Sequence, residues 1–220
     1  MMKNSFRRLF PHSPVALPEG RLAYPAVVQD GELDFWIAPQ GTVPVDQSLF
    51  PAPATPADEA VLLRQVVRGG YRLLDYRSSP GYNPRENVAN IFACGVMVPV
   101  ALEASRQLAA RGILANVVSL TSPDLLYRGW RQAVQLRGTH AHLRPRCHLE
   151  QLVPGPERGG PMVTVIDGHS HTLSFVGGVF GVRAVSLGVD AFGQTGSRQE
   201  LYDHYGVGVS AVVRAVESFW

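Results

Sequence analysis

The stretch Gly188-Val-Asp-Ala-Phe-Gly-Gln-Thr-Gly-Ser-Arg-Gln-Glu-Leu-Tyr-Asp-His-Tyr-Gly206 is the most informative part of this 220-residue chain. Its first half is rich in glycine and polar residues that favour turns. Ser197, with Glu200 three residues later, has the pattern of a capping box that opens a helix, and Gly206 is a typical residue just past a helix end. The sequence therefore predicts a shaped loop followed by a short helix near the end of the chain.

Strand and helix patterns alternate upstream of this stretch. Strands are predicted at 71–76, 88–94, 114–120, 162–166 and 183–187. Helices are predicted at 57–68, 100–111, from Pro123 onward, through Phe175 and Val179, at 197–205 and at 210–219, whereas residues 139–160 are predicted to form a polar loop. Strands that alternate with helices favour a parallel sheet covered on both faces. We predict an α/β fold with three α/β/α layers and a mostly parallel five-stranded sheet.

Residues 1–57 differ in character from the rest, because a proline occurs every few residues and helical periodicity is weak. Two short apolar runs, at 23–28 and 33–38, have strand-like composition, but flanking prolines predict edge strands at best. We therefore predict a proline-rich N-terminal arm at 1–57 and one domain at 58–220.

Composition argues against several classes of partner. The formal net charge is +2 and the arginines are spread along the chain without a basic stripe, so no nucleic-acid partner is predicted. No apolar run approaches the roughly 18 residues that a membrane span needs. Two cysteines do not make a disulfide framework, and no apolar core follows the arginines near the start as in a secretory signal. These features lead us to expect a cytoplasmic protein.

Three stretches carry a family resemblance. The Gly-x-Asp-x-Phe-Gly run with Asp190, Phe192 and Gly193, the Ser197-Arg198-x-x-Leu that opens the helix, and the closing Tyr-Gly resemble a signature in the C-terminal domain of transketolases and of homodimeric pyruvate dehydrogenase E1 components. Residues 89–95 and 115–122 are similar to two earlier strand ends of that domain. The resemblance extends from about Asp58 to the end and implies the transketolase C-terminal-domain fold.

The resemblance also implies that this chain lacks the cofactor-binding site of the family. The family binds thiamine diphosphate through Mg²⁺ with a Gly-Asp-Gly motif and a downstream Asn, and a Glu of another domain contacts the pyrimidine ring. Asp167-Gly168 lacks the first glycine and a downstream partner. This implies that the chain binds no cofactor alone and that thiamine diphosphate and Mg²⁺ lie on a partner subunit in a hetero-oligomer. The implied role is to complete the dimer and the active-site wall of a two-carbon transferase or E1 enzyme that is inactive without both subunits.

His169 and His171 are open to more than one interpretation. They form a His-x-His pair, which is a common spacing of metal ligands and resembles the opening motif of PHP-type and amidohydrolase metal-dependent hydrolases. This makes a small metal-dependent hydrolase one alternative function. The pair is also predicted to open a helix after a parallel strand, at the edge of an α/β sheet where ligands approach. There the two histidines would face substrate as acid, base or hydrogen-bond donor.

Other polar residues also have two interpretations. His169 and His171 would form a small metal site with His140, His142, Cys147 and His148 if the preceding loop folded back. Alternatively, these four are surface residues of a variable loop. Asp190, Gly193 and Gly196 are candidates for shaping a turn. Arg198 is a candidate for pairing with Asp190 or for crossing a subunit boundary. A non-catalytic assembly module is the remaining alternative function.

Overall fold

The computed structural model describes the backbone of residues 15–16, 22–27, 33–37 and 56–59, and both backbone and side chains of residues 60–140, 142–191 and 193–220. Contacts divide the chain into two compact units, Met1–Val67 and Arg68–Trp220. The domain boundary predicted from composition at 57/58 stays a prediction, and helix α1 (Pro56–Val67) falls in the first unit. Across the described part, no helix is long and apolar enough to cross a membrane.

The first unit contains a small antiparallel sheet of three strands in the order β1-β2-β3. The strands are β1 (Val15–Ala16), β2 (Leu22–Val27) and β3 (Leu33–Ile37). The prediction that β2 is an edge strand is wrong, because β2 lies between the other two. Its Pro25 is nevertheless compatible with this place, since β1 reaches only Leu22 and Ala23 and leaves Pro25 paired with β3 alone.

The second unit contains the predicted alternation of strands and helices. In chain order its elements are β4 (Gly70–Leu74), β5 (Val88–Cys94), α2 (Val98–Ala109), β6 (Leu114–Leu120), α3 (Pro123–Thr139), α4 (His148–Leu152), β7 (Met162–Val165), α5 (His171–Phe180), β8 (Ala184–Leu187), α6 (Arg198–Tyr205) and α7 (Val209–Glu217). Short 3₁₀ turns at Gly95–Met97 and Gly155–Glu157 precede α2 and β7. All five predicted strands are present.

The five strands form one sheet in the order β4-β6-β5-β7-β8. Only β4 is antiparallel to its neighbour, β6, and the other three pairings are parallel. Helices α2 and α7 pack together on one face, whereas α3, α4 and α5 pack on the other. The predicted three-layer α/β/α fold is therefore confirmed.

Local sequence signals explain where the helices begin and end. Ser122 caps α3 by accepting a hydrogen bond from the backbone N–H of Leu125 at 3.3 Å, and Pro123 occupies the first turn, where its missing N–H costs little. Helix α5 ends at Gly181, whose φ of 67° is left-handed and favours glycine. The predicted loop at 139–160 is partly wrong, because α4 lies within it. This five-residue helix is capped by Cys147 and Glu150, and cysteine is not a residue that announces a helix start.

The core lies on both faces of the sheet. Strand β5 is almost wholly buried, as expected for a central parallel strand. Between the sheet and the layer of α3, α4 and α5, one apolar cluster includes Phe92, Leu126, Leu149, Met162 and Leu173. These contacts hold β7 and α5 rigidly, and thereby position the loop between them.

Candidate functional site

Two loops meet at the carboxyl ends of β7 and β8. Because these strands are parallel, the chain leaves both at the same edge of the sheet. The backbone N–H of Ile166 donates to the carbonyl oxygen of Leu187 at 3.2 Å, and that of Val189 donates to the carbonyl oxygen of Gly168 at 2.7 Å. The histidine loop at 166–171 and the signature loop at 188–197 are thus bonded together from their first residues.

Gly188 permits this close approach. A Cβ atom at Gly188 would lie 2.5 Å from both the carbonyl oxygen of Gly168 and the amide nitrogen of Ser170. Both neighbours are backbone atoms, so no side-chain rotation relieves the contact. The glycine that opens the signature is therefore required by packing between the loops.

Asp190 joins the signature loop to the first turn of α5. Its carboxylate accepts hydrogen bonds from the backbone N–H of Ser170 at 2.8 Å and from the Ser170 hydroxyl at 2.9 Å. A carboxylate at a helix N-terminus also interacts favourably with the helix dipole. The hydrogen bonds from Ser170, aided by the nearby His169 and His171, hold the pKa of the Asp190 carboxyl below its ordinary value.

His169 and His171 form a stacked pair beside Asp190. Their ring centroids are 4.7 Å apart with an interplanar angle of 15°, and both side chains are exposed. Nδ1 of His169 lies 3.3 Å from Oδ1 of Asp190 and also 3.3 Å from the backbone nitrogen of His171, whose N–H donates to it. One nitrogen cannot accept that N–H while carrying a proton toward Asp190. The partner of Nδ1 therefore depends on which ring nitrogen of His169 carries hydrogen.

Replacing Asp190 with asparagine is expected to remove a pH-dependent part of the stability. The pKa of this carboxyl is lowered on folding from its ordinary value of 3.8, so the ionised form stabilises the fold above that pH. The stabilisation is lost as the pH falls through the lower folded-state pKa. We expect the melting temperature of the wild type to exceed that of Asp190→Asn at pH 6, and the difference to shrink below about pH 4. A constant difference between pH 2 and pH 6 would contradict this assignment.

The other signature residues cap α6 and shape the loop before it. Ser197 and Glu200 form the predicted capping box, with the Ser197 hydroxyl accepting from the Glu200 N–H and the Glu200 carboxylate accepting from the Ser197 N–H. Gly193 has a φ of 111°, which favours glycine. Arg198 is exposed and does not pair with Asp190, whose partners are Ser170 and His169. The predicted Arg198–Asp190 pair is therefore wrong, and Phe192 lies outside the described residues.

The four metal-ligand candidates between α3 and α4 are not brought together. Cys147 is buried at the start of α4, and Nε2 of the buried His148 lies 2.8 Å from the carbonyl oxygen of Gly70. His140 and His142 are exposed, with ring centroids 6.1 Å apart. Within residues 60–140, 142–191 and 193–220, no three His, Cys, Asp or Glu side chains are arranged to hold a metal ion.

The described residues also do not fit a thiamine diphosphate and Mg²⁺ site. Asp167, which is followed by Gly168 after β7, is exposed at the start of the histidine loop. The carboxylate of Asp190, on the adjoining signature loop, is already engaged by Ser170. No chemical step through that cofactor can be assigned to this chain.

A buried polar cluster at the opposite edge of the sheet was not predicted. Glu157, which is only 1% exposed, accepts two hydrogen bonds from the Arg72 guanidinium at 2.8 and 2.9 Å. The Tyr82 hydroxyl also donates to it, and Asn116 on β6 lies within hydrogen-bond distance at 3.5 Å. Burial and the Glu157 carboxylate together raise the pKa of Tyr82 well above its ordinary value. The polar Asn116 in an apolar strand was the one sequence signal of this cluster.

A family comparison accounts for the fold and for the signature. The sequence model of the transketolase-like TK C-terminal domain matches residues 69–208, which include the whole five-stranded sheet and the signature. This chain belongs to the transketolase-like C-terminal-domain family.

The four similar proteins described in this paragraph are transketolases. The chain is 32% identical over 169 residues to the chromosomal transketolase of Cupriavidus necator strain H16 and 28% identical to the plasmid transketolase of that strain. Each match covers 77% of this chain, which spans about a fifth of the length of these curated relatives. Among solved structures, Leishmania mexicana transketolase is 22% identical, with a TM-score of 0.49 over 71% of this chain and 18% of that one. An inactive β4 tetramer of a split-gene transketolase is 27% identical, with a TM-score of 0.41 over 60% of this chain and 38% of that one.

Proposed function

We propose that this chain is the subunit without cofactor in a split thiamine diphosphate-dependent enzyme of the transketolase or 2-oxo acid dehydrogenase E1 type. A separate polypeptide would carry thiamine diphosphate and Mg²⁺, and this chain would complete the dimer and the wall of the active site. The enzyme would transfer a two-carbon ketol or acyl unit and would work in the cytoplasm. The observation that carries the proposal is the match of residues 69–208 to the family's C-terminal domain.

The chemistry of the residues supports a division of labour. The 220 residues contain no Gly-Asp-Gly motif with a downstream Asn, and the described side chains group no metal ligands. A domain of this composition contributes shape, contacts and proton-transfer groups, while the cofactor carries the difficult bond cleavage elsewhere. The two loops meet at the carboxyl ends of the strands, which is the usual place for a ligand to approach an open α/β sheet.

His169 and His171 are the residues that we propose to face substrate in the assembled enzyme. They are exposed at that edge, and Asp190 beside them holds a negative charge through its contacts with Ser170. Their role would be to donate or accept a proton as the sugar or oxo-acid substrate reacts. The structural alternative for this loop is a packing role like that of Gly188 and Asp190, to which the His169 ring contributes through its contacts with Asp190 and the His171 N–H.

Purification from the native host tests the subunit assignment. A tag at the N-terminus leaves the C-terminal Trp220 free to donate from its indole N–H to the carbonyl oxygen of Glu86, as it does at 2.8 Å. We expect a second polypeptide with Gly-Asp-Gly and Asn to co-purify in fixed ratio, together with thiamine diphosphate and Mg²⁺. The tag alone, expressed in the same host, is the control.

Two results would count against the proposal. Recovery of the chain with no thiamine-binding polypeptide at stoichiometric yield would exclude the split enzyme. Recovery of such a polypeptide that is equally active in ketol transfer with and without this chain would instead support the assembly-module alternative.

The histidine assignment is tested in the reconstituted complex. We expect His169→Ala and His171→Ala each to lower kcat by at least about tenfold, because general acid–base groups commonly contribute 10²–10⁴-fold. His142→Ala removes another exposed histidine, from a different loop, and is expected to leave kcat unchanged. If both variants keep kcat within about twofold of the wild type while binding the partner normally, the histidines are not catalytic.

A further inference from the structure

Three aromatic side chains pack together on the outer surface of α3 and α5. The Tyr127 and Phe175 rings meet edge to face with centroids 5.3 Å apart, and Trp130 and Phe175 are stacked at 5.9 Å. Tyr127 and Trp130 are also 5.9 Å apart. With Val134 one turn further along α3, these residues form a surface that we call the aromatic patch: Tyr127, Trp130, Val134 and Phe175.

The aromatic patch is open in the described structure. Tyr127 is 41% exposed and Val134 is 45% exposed. Trp130 and Phe175 are half-buried. The exposed Gly178 lies beside Trp130 and has no side chain to cover it, since a Cβ atom added at Gly178 would lie 3.5 Å from the Trp130 ring. Aromatic rings already held by one another lose little conformational freedom on binding, and such residues dominate the energetics of protein interfaces.

The patch is continuous with the histidine site. His171, Phe175 and Gly178 are spaced four and three residues apart on α5, so they share one exposed face of that helix. A protein that covers Phe175 would therefore lie about one helical turn from His171. This continuity favours a partner that also closes the active site, rather than one that would only bury apolar area.

The charges beside the patch indicate the chemistry of the partner. Arg131 lies four residues after Tyr127 and three before Val134, on the same flank of α3. It is exposed, and among the described residues it has no ion-pair partner, whereas Arg128 is paired with Asp124 on the same helix. The aromatic patch itself contains no carboxylate, so a second copy docked patch to patch would offer no patch residue to pair with Arg131. An acidic surface would be complementary.

We propose that the aromatic patch docks an apolar surface with an acidic rim on the cofactor-binding polypeptide. This inference rests on the proposed function and names the surface through which the subunits join. The aromatic rings and Val134 would supply the buried centre of the interface, and Arg131 would pair with a carboxylate of the partner at its rim. His171, on the same face of α5, would then be placed at the boundary between the subunits.

Isothermal titration of the purified cofactor-binding polypeptide with this chain tests the surface. We expect Val134→Asp to weaken binding at least tenfold, because it places a carboxylate in the apolar centre and next to an acidic rim. Arg131→Glu is expected to weaken binding about as much and Arg131→Lys only slightly. Arg214→Glu reverses an equally exposed arginine on α7, in the opposite helix layer, and serves as the matched control with wild-type affinity.

Each outcome decides the matter. The three arginine variants and Val134→Asp change exposed residues, and unchanged melting temperatures will show that they fold. Wild-type affinity in Val134→Asp and Arg131→Glu would overturn the docking surface while leaving the split enzyme intact. Sedimentation equilibrium tests for self-association. If the wild type self-associates and Val134→Asp does not, a second copy of this chain occupies the patch, and the proposal is overturned. No binding by the wild type would remove both this inference and the proposed function.

Discussion

Replacing Gly188 with alanine is expected to lower the free energy of unfolding by about 2–3 kcal/mol, the upper part of the range for overpacking. The added Cβ would meet the backbone of Gly168 and Ser170 at 2.5 Å, well inside van der Waals contact. Relief requires the histidine and signature loops to separate. That movement stretches the bond from the Val189 N–H to the Gly168 carbonyl and those from Ser170 to Asp190. Calorimetric melting of the wild type and Gly188→Ala measures the effect, expected as a decrease of roughly 5–10 °C.

Gly129→Ala is the matched control for this experiment. Gly129 lies within α3, and nothing stands within 4 Å of an added Cβ atom. Alanine is better than glycine in a helix interior by up to about 1 kcal/mol, so this variant is expected to be as stable as the wild type or more stable. A Gly188→Ala protein that melts with or above the wild type would show that the loops separate freely, and would contradict the rigid geometry of the histidine site.

Replacing Arg72 with methionine is expected to destabilise the domain by about 3–5 kcal/mol, as when one partner of a buried ion pair is removed. The Arg72 and Glu157 side chains are 8% and 1% exposed, and the variant leaves the carboxylate buried without its guanidinium. Arg72 also donates to the carbonyl oxygen of Leu152 at 3.3 Å, so the end of α4 loses a contact as well. Denaturant-induced unfolding at neutral pH measures the loss.

An exposed ion pair of the same domain provides the control. Arg106 and Glu103 are 44% and 42% exposed in a contact of the same 2.8 Å length. Arg106→Met is expected to change stability by less than about 1 kcal/mol, because water screens surface pairs. Combining Arg72→Met with Glu157→Gln removes both charges and is expected to recover part of the stability. If Arg72→Met costs no more than Arg106→Met, the buried cluster is not a stabilising element.

The sequence predicted those parts of the domain that depend on local patterns. The apolar runs of β5 and β6, the Ser122 and Ser197 caps and the glycine at the end of α6 all act within one element, and the structure confirms them. Helix α4 escaped prediction because five residues are too few to show helical periodicity. The family signature was recognised, but the partner of Asp190 was not, since charge alone suggested Arg198.

The sequence by itself determined the order of elements, the α/β class and the family, because hydrophobic periodicity, caps and motifs are properties of neighbouring residues. Only the tertiary structure decided which residues meet. Ser170 and Asp190 are 20 positions apart, and Arg72 and Glu157 are 85 apart. Their contacts exist because the strand order β4-β6-β5-β7-β8 brings segments that are distant in sequence close together at the sheet. The need for glycine at position 188 has the same origin, since the atoms that exclude a side chain there belong to another loop.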